Sequence, residues 1–195
     1  MTTTGINNGK VLVLMNFIPT RLEGLYVVEP EVHGDSRGFF MESYSQATFA
    51  EHGIDTPFVQ DNHSLSAQSG VIRGLHYQLN PHAQTKLVRV ITGAIYDVAV
   101  DIRPNSSTFG QWVGVILSEA NKRQLLIPRG FAHGFCTIVP NTQVLYKVDA
   151  FYSPEQDRGI LWSDPALNID WPTVNPILSG KDQEHPLLVN AELNF

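Results

Sequence analysis

The chain has 195 residues, 43% of them hydrophobic and 16% charged, which is enough to bury a core without disulfides or structural metal. A formal charge of −6 leaves no broad basic face for nucleic acid, while a local basic pocket for one small anion stays open. Cys136 is the only cysteine, which excludes an internal disulfide and favours a reducing compartment, so the cytoplasm is expected.

The first apolar stretch, 11–18 after Lys10, is short, is interrupted by Asn16 and runs into Pro19 without a small-residue cleavage pattern. It reads as a strand and not as a secretion signal. No apolar run approaches the roughly 20 residues that span a bilayer, so no membrane association is expected. From Gly24 onward come short runs rich in Val, Ile, Phe and Tyr, each closed by Gly, Pro, Asn or Asp. They cover 24–32, 38–44, 71–79, 86–92, 94–102, 110–117, 124–127, 132–139 and 143–150, and this spacing predicts an all-β sandwich or barrel. Helical periodicity is weak. The best candidate is 46–52, with Ser45 placed to cap its first turn and Gly53 to end it. Rich in Pro, Asn, Asp and Ser, the segment 162–195 reads as an irregular wrap over the sheets, and 1–23 as an N-terminal arm or strand of the same single domain.

Several polar residues fall where a strand should be apolar. In 94–102, alternation puts Ile95, Asp97 and Ala99 on one face and Tyr96, Val98 and Val100 on the other. Both faces are largely apolar, so Asp97 is expected to be buried with a cationic or imidazole partner; the alternative is a strand-end Asp making turn bonds. Arg73-Gly74-Leu75-His76-Tyr77-Gln78 puts His76 and Gln78 on one face, and Lys86 follows after a loop. A second imidazole, His133, lies in Pro128-Arg129-Gly130-Phe131-Ala132-His133-Gly134-Phe135, whose glycines allow close backbone approach. Taken singly, each His is more often a satisfied structural residue than a catalyst; together with the basic residues they suggest a site. A mononuclear metal in such a barrel needs several His and a carboxylate converging on the ion. Here Gln78 stands where a second His would follow His76, and Lys86 stands where a carboxylate would, so no metal is expected. The available histidines with Asp97 are the alternative ligand set.

Five motifs occur in order: Gly34-Asp35-Ser36-Arg37-Gly38-Phe39-Phe40, Gln60-Asp61-Asn62-His63-Ser64, Arg73 to Gln78, Asp97-Val98-Ala99-Val100-Asp101-Ile102-Arg103, and Pro128 to Phe135. Through them the chain resembles the dTDP-4-dehydrorhamnose 3,5-epimerase family, and the likeness runs through nearly its whole length. The resemblance implies a cupin-type jelly roll (double-stranded β-helix) with a few short peripheral helices. It also implies a cofactor-free isomerase that moves protons at C3 and C5 beside a C4 ketone of a dTDP-sugar. By that likeness His76 is the base, Asp182 after Lys181 its carboxylate partner, Lys86 the cation at the enolate oxygen and Tyr146 the acid on the opposite face. Asp97 and His133 are supporting groups. Substrate contacts are carried over to Arg37, Glu42, Gln60, Asp61, Asn62, Arg73, Lys86, His133, Asp157 and Lys181, with Phe151 or Tyr152 stacking on thymine. The resemblance further implies a homodimer in which N-terminal strands cross and Arg37 serves the partner's site. The alternatives are a single-centre epimerase on a related sugar, a non-catalytic sugar-binding cupin, and a metal-dependent cupin.

Overall fold

The computed structural model describes residues 15–55 and 57–195. In chain order come β1 (Met15–Pro19), β2 (Tyr26–Pro30), β3 (Val32–Asp35), β4 (Gly38–Met41), helix α1 (Gln46–Glu51), β5 (Gln60–Ser66), β6 (Ile72–Gln78), β7 (Lys86–Thr92) and β8 (Ala94–Asp101). They are followed by β9 (Trp112–Ser118), β10 (Gln124–Ile127), β11 (Phe131–Thr137), β12 (Thr142–Val148), β13 (Asp157–Gly159) and helix α2 (Gly180–Gln183), with a 3-10 turn at Leu188–Asn190. One antiparallel sheet has the order β1-β2-β10-β7-β12-β5, a second β13-β6-β11-β8-β9, and β3 with β4 forms a separate hairpin. The two sheets face each other as a cupin-type jelly roll. Of the strand expected at 11–18, residues 11–14 lie outside the described residues.

Strand alternation decides what fills the sandwich. From β8, Ile95 and Ala99 point inward and pack with Val88, Val90, Leu125 and Val144 of the opposite sheet. Val98 and Val100 point outward, where Leu167, Trp171 and Leu188 of the C-terminal wrap cover them. That wrap is why β8 is apolar on both faces. On the far side of the six-stranded sheet, Phe49 of α1 is fully buried against Met15, Val28, Leu87 and Leu126; burying such a ring is worth about 1.5–3 kcal/mol. Ser45 caps α1, its Oγ accepting from the Thr48 N–H at 3.4 Å, and Gly53 follows at φ +78°.

Several elements differ from the sequence expectation, among them β13, which falls in a stretch where no strand was expected. The run 24–32 divides into β2 and β3 at Pro30, which has no N–H for the ladder. β5 was not expected, because its inward positions Gln60, Asn62 and Ser64 are polar while Leu65 is exposed. Within the irregular wrap, α2 is a single capped turn, Ser179 Oγ accepting from the Asp182 N–H at 3.1 Å.

The close approach expected around Gly134 is made to β6. Gly74 has φ +127°, and a Cβ there would lie 2.5 Å from Gly134 Cα and 2.7 Å from the His133 carbonyl oxygen. Both neighbours are backbone and cannot yield cheaply. Gly74→Ala is therefore expected to destabilise the fold by about 3 kcal/mol, measured by urea unfolding. An unchanged midpoint would contradict this packing.

Candidate active site

β6 and β11 place His76 directly opposite His133, and from the other sheet β7, β12 and β5 supply Lys86, Tyr146, Gln60, Asn62 and Ser64. Tyr146 pairs with Asn62 and Val88, and Val148 with Lys86, across adjacent strands. Two adjoining cavities of about 250 and 270 Å³ share His76, Lys86, Tyr146 and Lys181 as lining. The first also touches Ser64, Arg73, His133, Phe135, Ser179 and Asp182. The second touches Gln60, Asn62, Gln78, Gln84, Tyr152 and Asp157.

His76 Nε2 lies 2.5 Å from Asp182 Oδ1, and Ser179 Oγ donates to Asp182 Oδ2 at 2.9 Å. Burial alone would raise the Asp182 pKa. The hydrogen bond and charge of His76, with help from Ser179 and His185, outweigh it and hold the carboxyl below its ordinary value. A carboxylate on Nε2 fixes the tautomer in which Nδ1 carries the lone pair. The second pair is deeper: His133 Nε2 is 2.7 Å from Asp97 Oδ1, and Asp97 is fully buried. This is the imidazole partner that the double-sided apolar pattern of β8 called for.

Lys86 is only 8% exposed. Desolvation lowers its pKa from 10.5 to about 8, against the opposing pull of Asp157 and Asp97. Burial raises the pKa of Tyr146, Arg73 pulls it down and Asp157 adds to the rise, so the phenol keeps its proton at neutral pH and can donate it. Lys181 is bonded to Asp157, which raises the lysine's pKa and keeps it charged. Arg73 reaches the Leu65 carbonyl at 3.3 Å and Ser66 Oγ at 3.3 Å. The result is a cavity with an imidazole, a buried ammonium and a phenol on different walls. That combination suits removal of a proton next to a carbonyl, with fixed charge at the oxygen that becomes negative.

The family model for dTDP-4-dehydrorhamnose 3,5-epimerase matches residues 19–190. The chain belongs to that epimerase family. An enzyme of this name from Shigella flexneri is 56% identical over 179 residues, 91% of this chain and 98% of its own. The dTDP-4-dehydrorhamnose 3,5-epimerase of Bacillus anthracis, solved with TDP and PPi bound, is 56% identical, with a TM-score of 0.88 over 89% of this chain and 99% of its own. The dTDP-6-deoxy-D-glucose-3,5-epimerase of Legionella pneumophila, solved with dTDP-4-keto-L-rhamnose, is 50% identical, with a TM-score of 0.87 over 91% and 94%.

In this member of the epimerase family, most of the sequence-predicted residues converge: His76, Lys86, His133, Tyr146 and Asp182, with Gln60, Asn62, Arg73, Tyr152, Asp157 and Lys181, all line the cavities. Four do not. Asp61 projects from the opposite face of β5 to Lys147, 2.9 Å away, because alternation turns it away from Gln60 and Asn62. Phe151 is 67% exposed, which leaves Tyr152 as the ring on the cavity wall. Arg37 sits on the β3–β4 hairpin, bonded to its own Asp35 at 2.5 Å, and Glu42 just beyond that hairpin touches neither cavity. Sequence reasoning missed Ser64, Ser179 and His185. His185 lies just beyond α2, three residues after Asp182, and its Nε2 comes to 3.7 Å from Asp182 Oδ1. Burial, joined by the charge of His76, lowers the His185 pKa.

No helix among the described residues is long and apolar enough to cross a membrane.

The Lys86 shift has a definite sign. With a folded pKa near 8 and the ordinary value at 10.5, the unfolded chain binds more protons between those limits, so stability rises with pH across that window. Lys86→Met keeps the length and removes the charge; it is expected to stabilise the fold at pH 7 by about 1–3 kcal/mol and to abolish the rise. Urea unfolding at neutral and alkaline pH measures both. A less stable variant that keeps the rise would contradict the burial assigned to this ammonium.

Proposed function

We propose that this chain converts dTDP-4-dehydro-6-deoxy-D-glucose to dTDP-4-dehydro-L-rhamnose by inverting C3 and C5 on either side of the C4 ketone. The observation that carries this is the His76–Asp182 pair opening into the same cavity as the Lys86 ammonium and the Tyr146 phenol. His76 Nδ1 takes the proton from carbon, and Asp182 stabilises the imidazolium that results. Electron density moves onto the C4 oxygen, where the Lys86 ammonium balances it. Tyr146 then delivers its proton to the face opposite His76, which inverts the centre; the phenolate regains a proton from solvent as the imidazolium loses one. Asp97 and His133 hold the floor of the cavity in register. For the nucleotide, Arg73 and Lys181 supply charge to the diphosphate, Gln60 and Asn62 supply amide hydrogen bonds, and Tyr152 offers a ring to thymine.

Proton NMR of the substrate in deuterated water tests the division of roles. The unaltered enzyme should introduce deuterium at both C3 and C5 with inversion. His76→Asn should lower turnover by about 10²–10⁴-fold while nucleotide binding persists. Tyr146→Phe should still exchange protons through His76 but return them to the original face. Inversion at one centre only in the unaltered enzyme would instead identify a single-centre epimerase, and full turnover by His76→Asn would remove the base.

We further infer that the chain works in the cytoplasm as a homodimer whose β3–β4 hairpin completes the partner's site. Support comes from Arg37, which lines neither cavity and bonds to Asp35 of its own hairpin, and from Phe39 and Phe40, which are 57% and 67% exposed. If Arg37 acts in the partner's site, Arg37→Ala and His76→Asn subunits, each impaired alone, should regain up to about a quarter of full activity after random mixing, since half the dimers then hold one intact site. No recovery would place Arg37 outside the partner's site.

A further inference from the structure

The proton-transfer scheme leaves His185 without a task. Its Nε2 is buried and has no hydrogen-bond partner. The side chain is 9% exposed, and this nitrogen faces Asp182 Oδ1 from 3.7 Å. The ring stands edge-on to His76, with 5.5 Å between centroids and 76° between planes. β13 fixes it in place, because a Cβ at Gly159 would overlap the imidazole. One ligand atom from each of His76, Asp182 and His185 lies within 4.8 Å of the others.

Two imidazoles and a carboxylate suit zinc, whose bonds of about 2.0–2.2 Å set tetrahedral ligands about 3.3 Å apart. The His76–Asp182 and His185–Asp182 separations of 2.5 and 3.7 Å lie on either side of that spacing, while the three ligand atoms together span up to 4.8 Å, so the two imidazoles must draw closer to share an ion. With His185 held by β13, rotation of His76 and Asp182 toward its Nε2 would seat an ion, and the cavity lined by His76 and Asp182 gives it an entry path. The neighbouring Lys86 and Lys181 ammoniums oppose a cation, so binding is weaker than at a dedicated structural zinc site. No step of the epimerisation needs the ion.

We propose that His76 Nε2, Asp182 Oδ1 and His185 Nε2 form an inhibitory site for Zn²⁺. The inhibition rests on His76 acting as the base. A neutral imidazole carries one N–H. With zinc on Nε2, that proton sits on Nδ1, the nitrogen that must be empty to accept a proton from carbon, and Asp182 is drawn to the metal as well. The ion thus locks the ring in its inactive tautomer without altering the fold.

Equilibrium dialysis of the intact enzyme against zinc chloride tests the site without reference to turnover. One ion per chain is expected, with affinity at least about tenfold weaker in His185→Gln and in Gly159→Ala, which displaces the ring. Epimerase rates, each taken relative to the same variant's metal-free rate, should fall with zinc occupancy and recover with chelator. Equal zinc affinity in all three proteins, or no bound ion at millimolar metal, would overturn the site while leaving the His76 assignment intact. Zinc held in a His185-dependent way with no loss of rate would overturn the inhibition and the base assignment together.

Discussion

An ammonium taken out of water inside a sheet sandwich is unfavourable by several kcal/mol unless its surroundings answer it, and Lys86 is held there by its place on β7, with Val88 and Val90 of the same face in the core. Asp157 and Asp97 answer it partly and from a distance. Each polar neighbour then needs a partner of its own. Asp97 has His133, Asp182 has His76 and Ser179, and the buried amide of Gln78 bonds to Ser153, His82 and Phe151 backbone atoms. One end of the sandwich is therefore polar and tightly bonded, while the other is filled with Ile, Val, Leu and Phe. If the proposed enolate forms beside Lys86, the charge that strains the fold is the charge that the enolate requires, and stability and catalysis oppose each other at this residue.

The cavity draws on three parts of the chain. The six-stranded sheet contributes Lys86, Tyr146, Gln60 and Asn62; the five-stranded sheet contributes His76 and His133, the latter held by buried Asp97; the C-terminal wrap contributes Lys181 and Asp182. The wrap is tied to β6 by the bond from the Ile72 N–H to the Ile177 carbonyl at 2.9 Å and by Trp171 and Leu188 over the outer face of the sheet. Docking of an irregular segment thus completes the imidazole–carboxylate pair, which links burial of apolar surface on one side of the sheet to the geometry of the cavity on the other.

How much of this could be read in the residues depended on range. β8 was legible because alternation is local, and its double-sided apolar pattern pointed to a buried Asp97 with a cationic or imidazole partner. Its partner's identity was not local. The His76–Asp182 contact joins residues 106 positions apart; no periodicity encodes such a meeting, and it was reached only through likeness to a family. β5 stayed hidden because the site inverted its pattern, with polar Gln60, Asn62 and Ser64 facing inward and Leu65 outward. The same alternation removes Asp61 from the cavity although it sits within the same motif. His185 was lost in a stretch whose composition resembles a loop, since a single capped turn leaves no periodic trace.

The structure makes the Lys86 ammonium charged yet nearly dry. Carbon-13 NMR of lysine side chains, with the resonance assigned by comparison with Lys86→Met, follows its titration directly in the free enzyme. A midpoint near pH 8 is expected; titration at the ordinary value of 10.5 would show a solvated lysine and contradict its burial.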